Sequence, residues 1–231
     1  MKNNRSIQLD PQFIKEHQVS KASPEAGSLF WKLWQSCTDI ADEVIKTPFI
    51  QGIKEGTLDP VVYGGFNVSD AYYCFHGASD YLGAANRATD PTLKAFLMKK
   101  YNSYDSYNKT FPKKWHIKDA NGVVPTDACK EYSAFESNTA ATEDPIYSLI
   151  VMLPCEYLWA WLGKELSPPS KGNLYAPWIT GNNYPDGAYA MGNFISYFQN
   201  KYPGSLDTDK AMELYRAAMN YELENFKSAT E

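Results

Sequence analysis

Histidine is scarce in this chain: among 231 residues only His17, His76 and His116 occur. None has a glutamate three positions before it, so the Glu-x-x-His pattern of di-iron bundles is missing. Cysteine is sparse too. Cys37, Cys74, Cys129 and Cys155 are scattered without a Cys-x-x-Cys pair and read as free thiols in a reducing cytoplasm. Positive charge is in deficit, with a formal net charge of −5; binding nucleic acid needs a basic patch, so none is expected as a partner. Lys99-Lys100 and Lys113-Lys114 read as solvated surface pairs. Met1 to Lys15 has no apolar signal core. The most apolar stretch, Tyr147 to Leu162, carries Pro154 and Glu156 and is expected to be too short and too polar to span a bilayer, so no membrane partner is expected. Period-two alternation is nearly absent, which argues against sheets, and no glycine-rich loop follows a strand to cradle a nucleotide.

What is present is apolar periodicity at helical spacing. Hydrophobic residues make up 44% of the chain and aromatics 15%, enough for a real core and for a pocket that takes a flat ring. Residues 1–22 read as a polar, loosely held arm, and 23–231 as one all-α domain. Ser23-Pro24 is expected to start a helix reaching about Lys46. Thr47 to Ile53 reads as a connecting turn or helix. Asp59-Pro60 opens a helix to about Ala88, and Asp90-Pro91 another to about Trp115. A loop follows, with Asn121-Gly122, then a helix from Pro125 or Thr126 to about Ala141. Asp144-Pro145 starts a long helix to Glu165, kinked at Pro154. Shorter helices fill Tyr175–Ile179 and Gly187–Lys201, and Asp207 caps a last helix to about Ala229.

Three polar residues interrupt the apolar faces of these helices. Asp70 lies in the stripe Phe66, Asp70, Tyr73. Cys155 lies in the stripe Val151, Met152, Cys155, Leu158, Trp159. Glu222 lies in the stripe Tyr215, Ala218, Glu222, Phe226. Each follows the i, i+3/i+4 spacing of a core face. An inward carboxylate loses hydration unless something pairs with it. Glu222 there would have a raised pKa suited to acid/base work, or it is half of a buried ion pair. Asp70 could accept from a ligand's amino group, or be satisfied by a neighbouring Tyr or Lys. Cys155 follows Pro154, where exposed N–H dipoles favour a thiolate, or it is simple core packing. Two carboxylates and a thiol facing inward point to a pocket within the bundle.

Five segments in order carry a family likeness. Pro48-Phe49-Ile50-Gln51-Gly52-Ile53-x-x-Gly56-Thr57-Leu58 resembles the opening signature of the TenA/thiaminase II family. Asp70-x-x-Tyr73 resembles its Gln-Asp-x-x-Tyr helix, with Ser69 in place of Gln. Thr126 to Phe135, with Tyr132, resembles the segment supplying a site tyrosine. Leu153-Pro154-Cys155 resembles the Leu-Pro-Cys motif, and Tyr221-Glu222 the C-terminal motif with the acid/base glutamate. The likeness covers about residues 25–229. It implies a haem-oxygenase-like multi-helical bundle without haem or other cofactor, assembled as a homo-oligomer, a tetramer or dimer. It implies hydrolysis of thiamin or an aminopyrimidine fragment in thiamin salvage. Cys155 would attack the ring, Glu222 would shuttle the proton, and Asp70 would hold a ring nitrogen or amino group. Phe66, Tyr73, Tyr132, Trp159 and Tyr184 would line or support the pyrimidine site.

The departures are in the expected walls. Trp159 stands where the family has a tyrosine. Asn182 replaces another, for which Tyr184 could substitute. Asn225-Phe226 replaces Phe-Trp and would remove an aromatic flanking the ring. A small-molecule-binding protein that has lost its chemistry is therefore the alternative to a cofactor-independent hydrolase, with a metal-dependent oxidase on the same fold as a third reading.

Overall fold

The computed structural model describes residues 20–231, and among them no strand occurs. Twelve α-helices follow in order: α1 (Leu29–Gln35), α2 (Thr38–Val44), α3 (Pro48–Glu55), α4 (Pro60–Arg87), α5 (Pro91–Asn108), α6 (Phe111–Trp115), α7 (Asp127–Thr142), α8 (Ile146–Val151), α9 (Leu153–Glu165), α10 (Ala176–Asn182), α11 (Asp186–Lys201) and α12 (Thr208–Ser228). The helix starts follow side-chain capping. Asp59, Asp90, Thr126 and Asp207 each accept a backbone N–H of the first turn, replacing the carbonyl partners those amides lack. Pro60 and Pro91 follow two of these caps, where a missing N–H costs nothing.

Three helices expected to be continuous are divided. The first does not start at Ser23-Pro24. Gly27, at φ +78°, ends a tight turn there, and α1 begins after Ser28. It stops at Ser36, whose hydroxyl donates to the Leu33 carbonyl at 2.7 Å, and α2 resumes after Cys37. The helix expected to reach Trp115 breaks at Lys109-Thr110, just before Pro112. Proline has no N–H for the carbonyl four residues back, and its ring crowds that turn. Pro154 does the same at Met152, so the long helix is two pieces, α8 and α9.

Residues Ile146–Glu165 are longer and more apolar than the sequence reading allowed. The 20-residue run has mean hydropathy 1.3, sufficient by length and composition to cross a membrane. It is instead core: its most apolar window is 78% buried within the bundle. Long α4 packs on α5 and α7, while α12 packs on α7, α2, α8 and α9. The charged and thiol-bearing faces of α4, α7, α9 and α12 thus converge. The arm reading falls mostly outside the described residues, as does His17, but Ser20 to Ala22 are tied down. Asn193 of α11 donates to the carbonyls of Ser20 and Ala22, and Lys21 pairs with Asp186. Lys100 is not solvated either: it is 8% exposed and paired with Glu156.

Close approach of α9 and α10 depends on Gly163. A Cβ there would lie 2.6 Å from the Asn182 carbonyl carbon and 2.6 Å from the Asn183 nitrogen, both backbone. Gly163→Ala is expected to destabilise the protein by about 1–3 kcal/mol, the typical cost of overpacking. Urea unfolding checks this; an unchanged midpoint would show that α10 shifts without cost.

Candidate active site

The capped start of α4 sets the register that places Phe66, Asp70, Tyr73 and Cys74 along its inner side. Thr126 sets that of α7, which brings Tyr132 and Glu136 inward one turn apart. The break at Met152 begins α9 so that Cys155 lies in its first turn and Trp159 one turn on. Asp207 starts α12, which carries Glu222 into the centre at 1% exposure.

A cavity of about 350 Å³ opens between α4, α5, α9, α10 and α11, within the size range of small-molecule sites. Asp70, Cys74, Tyr104, Tyr107, Cys155 and Trp159 form its inner wall. Tyr184, 72% exposed, stands at its rim with Asn182, whose amide is turned to the Trp178 carbonyl at 2.8 Å. No lysine, arginine or histidine lines it. Among the described residues, no three His, Cys, Asp or Glu side chains group so as to hold a metal ion.

Glu222 lies behind that wall rather than in the cavity, a departure from the single chamber the sequence suggested. Tyr132 donates to its Oε1 at 3.2 Å, and the Trp159 indole N–H donates to its Oε2 at 3.3 Å. Trp159 is therefore more than a changed wall: it holds the carboxyl group while presenting its ring to the cavity. Tyr73 and Tyr132 also belong to the layer behind the wall, their rings 4.9 Å apart. The Tyr73 hydroxyl donates to Glu136 Oε1 at 2.9 Å and lies within hydrogen-bonding reach of the Cys155 sulfur. Tyr104 approaches the same sulfur from α5 at 3.7 Å, and Cys74 donates to Asp70 at 3.8 Å.

The expected ring contacts need two corrections. Phe66 does not line the cavity; it stacks behind Trp159 at 5.9 Å and on Phe226 at 5.4 Å. Asn225 removes no cavity wall. It borders a separate hollow with Ser69 and Thr126, while Phe226 keeps an aromatic ring 5.5 Å from Trp159. Ser69 also faces α7, accepting the Thr126 N–H at 3.1 Å.

Electrostatically the cluster is acidic, with Glu222 fully buried and Asp70 and Cys155 half-buried at the cavity wall. Burial raises Glu222 to about 8, with Asp70 adding to the rise and the Trp159 and Tyr132 donors opposing it. Burial raises Asp70 to about 7 against the weak Cys74 donor. The Cys155 thiol is pushed well above its ordinary value, first by burial and then by Glu222 and Asp70. The thiolate-favouring dipoles expected beside Pro154 are thus outweighed in the unliganded protein. Glu136, Tyr104 and Cys74 were not apparent from the stripes. Glu136 had one signal available, its place four residues after Tyr132 on the same helical face.

The family's sequence profile, described as TENA/THI-4/PQQC, matches residues 34–229. The chain belongs to the TENA/THI-4/PQQC family. Solved structures agree on the fold. A TenA homologue from Pyrococcus horikoshii OT3 superposes with TM-score 0.74 at 19% identity, over 87% of this chain and 98% of that one. A TenA family transcription regulator from Silicibacter sp. TM1040 gives 0.76 at 15% identity, over 88% and 96%. A protein from Sulfolobus solfataricus P2, named provisionally as a TenA-like thiaminase, gives 0.67 at 13% identity, over 87% and 94%. No match was found among curated proteins. In this TenA-family chain, Tyr73 and Tyr132 lie between the Leu-Pro-Cys thiol and the C-terminal glutamate.

The raised carboxyls set the pH dependence of folding. Asp70 and Glu222 keep protons in the folded state that an unfolded chain releases near pH 4, their ordinary range. Folding therefore weakens as pH rises from about 4 to 8, then levels off. Glu222→Gln removes one of these ionisations. Its stability relative to the parent should improve by at least about 1 kcal/mol between pH 5 and pH 8.5. Urea unfolding across that range is the check; parallel curves would mean that Glu222 is not buried uncharged.

Proposed function

We propose that this protein is a cofactor-independent hydrolase of the thiaminase II type, acting on an aminopyrimidine or related heteroaromatic amine. The observation that carries the reading is a buried glutamate held by Tyr132 and Trp159, whose pKa burial raises to about 8, near a thiol and a second carboxyl group. An acid that keeps its proton at neutral pH is suited to give it to a ring nitrogen. A cavity with acceptors and no cation suits a basic, amino-bearing ring.

In this reading the ring enters against Trp159 and the Trp159 indole gives way from Glu222. Asp70 accepts a hydrogen bond from the ring's amino group. The sulfur of Cys155, having lost its proton, bonds to an electron-poor ring carbon. The C=N electron pair moves to the ring nitrogen, which takes the proton of Glu222. The leaving group then departs with its bonding pair from the substituent carbon. Water adds at that carbon, and rupture of the S–C bond restores the aromatic ring and the thiol. A positively charged amino group on the bound ring would favour the Cys155 thiolate, opposing the burial that chiefly holds the thiol up.

A binding-only protein is the competing reading, favoured by the seclusion of Glu222 behind Trp159 and by the high thiol pKa. The two separate on a panel of thiamin, aminopyrimidines and related amines, followed by release of ammonia or thiazole. Cys155→Ala should abolish turnover and leave the fold and ring binding intact, and Glu222→Gln should slow turnover by at least about 10²-fold, the lower range for acid/base groups. Binding without turnover by the parent protein would favour the competing reading. Normal turnover by Cys155→Ala would remove the nucleophile.

A further inference from the structure

Glu156 follows Cys155 on α9 and lines the same cavity, yet no step of the proposed scheme uses it. One residue is about 100° around a helix, so its side chain turns from the thiol's direction. It reaches α5, where Lys100 pairs with its Oε1. The two side chains are 17% and 10% exposed. Taking two ions this far out of water is costly, and an apolar pair of similar size would pack as well or better. The pair is therefore weak evidence for a stabilising role and stronger evidence for a task at the cavity. Tyr104, which approaches the Cys155 sulfur, is within electrostatic reach of Glu156 as well, so the carboxylate stands close to the reacting centre.

The second oxygen of Glu156 is differently placed. Among the described residues, Oε2 receives no hydrogen bond. It lies against Gly187 of α11, where an added Cβ would collide with it. Gly187 and Ala188 line the cavity too, so the missing side chain leaves this oxygen its space at the wall. A carboxylate only accepts hydrogen bonds, and Lys100 occupies one of its two oxygens. What Oε2 can hold is therefore a donor, and an ether oxygen or a nitrogen without hydrogen finds nothing there. In the proposed scheme Asp70 already takes the ring's own amino group, and the leaving group is the part of the substrate still unheld. We infer that Glu156 is a specificity-determining residue: its Oε2 accepts from an N–H of the leaving group, so the cavity selects rings whose substituent ends in an amine. Lys100 fixes the carboxylate by its other oxygen, and Gly187 makes room for it.

This inference rests on the ring site proposed above, but it is tested by binding alone, in the full-length Cys155→Ala protein so that neither ring is consumed. Calorimetric titration compares 4-amino-5-(aminomethyl)pyrimidine with 4-amino-5-(methoxymethyl)pyrimidine, which has the same ring and a substituent that only accepts. The aminomethyl ring should bind at least about tenfold tighter, since its ammonium makes a charge-assisted bond that the ether cannot. Glu156→Gln in the same background keeps an oxygen for Lys100 and turns an NH2 group toward the substituent. It should bring the two Kd values to within about twofold, mainly by weakening the aminomethyl ring. A glutamate that only neutralises Lys100 predicts a lower melting temperature with the preference intact. Should Glu156→Gln fail to fold, Gly187→Ala decides: its methyl group drives Oε2 from its place with both charges still present, and the preference should fall likewise. A preference that survives in the folded variant overturns the assignment, as does equal binding of the two rings before Glu156 is changed. Turnover by the parent with a preference indifferent to Glu156 would reject the assignment and keep the hydrolase. A Glu156-dependent preference in a parent that turns nothing over would do the reverse.

Discussion

A cluster of acids without a cation governs this molecule. Asp70, Glu136, Glu222 and Cys155 come from four different helices, with Glu136 and Glu222 fully buried and Asp70 and Cys155 half-buried at the cavity wall. Charging any one of them in such a place is costly, and charging two together is costlier. The protein answers with neutral hydrogen-bond donors instead of counter-ions: Tyr73, Tyr132, Tyr104 and the Trp159 indole. Such donors fix both oxygens of Glu222 and one of Glu136 without bringing in a charge. The nearest buried cation, Lys100, is committed to Glu156. On the proposed reading, a basic ring would bring the positive partner that the site's own residues do not supply.

The surrounding fold can be understood as the frame for that cluster. The break before Pro154 starts α9 where the thiol faces inward, and Gly163 lets α10 lie close enough to bring Asn182 to the cavity rim. Stacked Phe66, Phe226 and Trp159 form a hard backing, so the indole can hold Glu222 and still present a flat face to the cavity. Trp159 supplies a donor to Glu222 and a broad aromatic face to the cavity.

The sequence made the all-helical architecture, most helix ends and the convergence of Asp70, Cys155 and Glu222 legible, because capping residues and i, i+4 stripes are local signals. Breaks at Thr110 and Met152 are harder to read, since a proline two residues ahead can either bend a helix or divide it, and the break at Ser36 has no proline beside it to mark it. The stripes place Glu222 on an inward face but not behind Trp159, because which side of a layer a residue occupies depends on packing between helices distant in sequence. Glu136 escaped for a different reason: a lone glutamate among polar neighbours on α7 resembles a solvated residue until Tyr73 is seen against it. Asn225 was misjudged because a motif comparison cannot tell a wall residue from its neighbour facing away.

The most direct test is a crystal structure of the Cys155→Ala protein with a bound aminopyrimidine. The account predicts the ring in the cavity against Trp159, with its amino group on Asp70, a ring nitrogen on the Glu222 carboxyl and the Trp159 indole displaced. A ring bound elsewhere, or one in the cavity with Glu222 still held by Trp159 and out of reach, would contradict it.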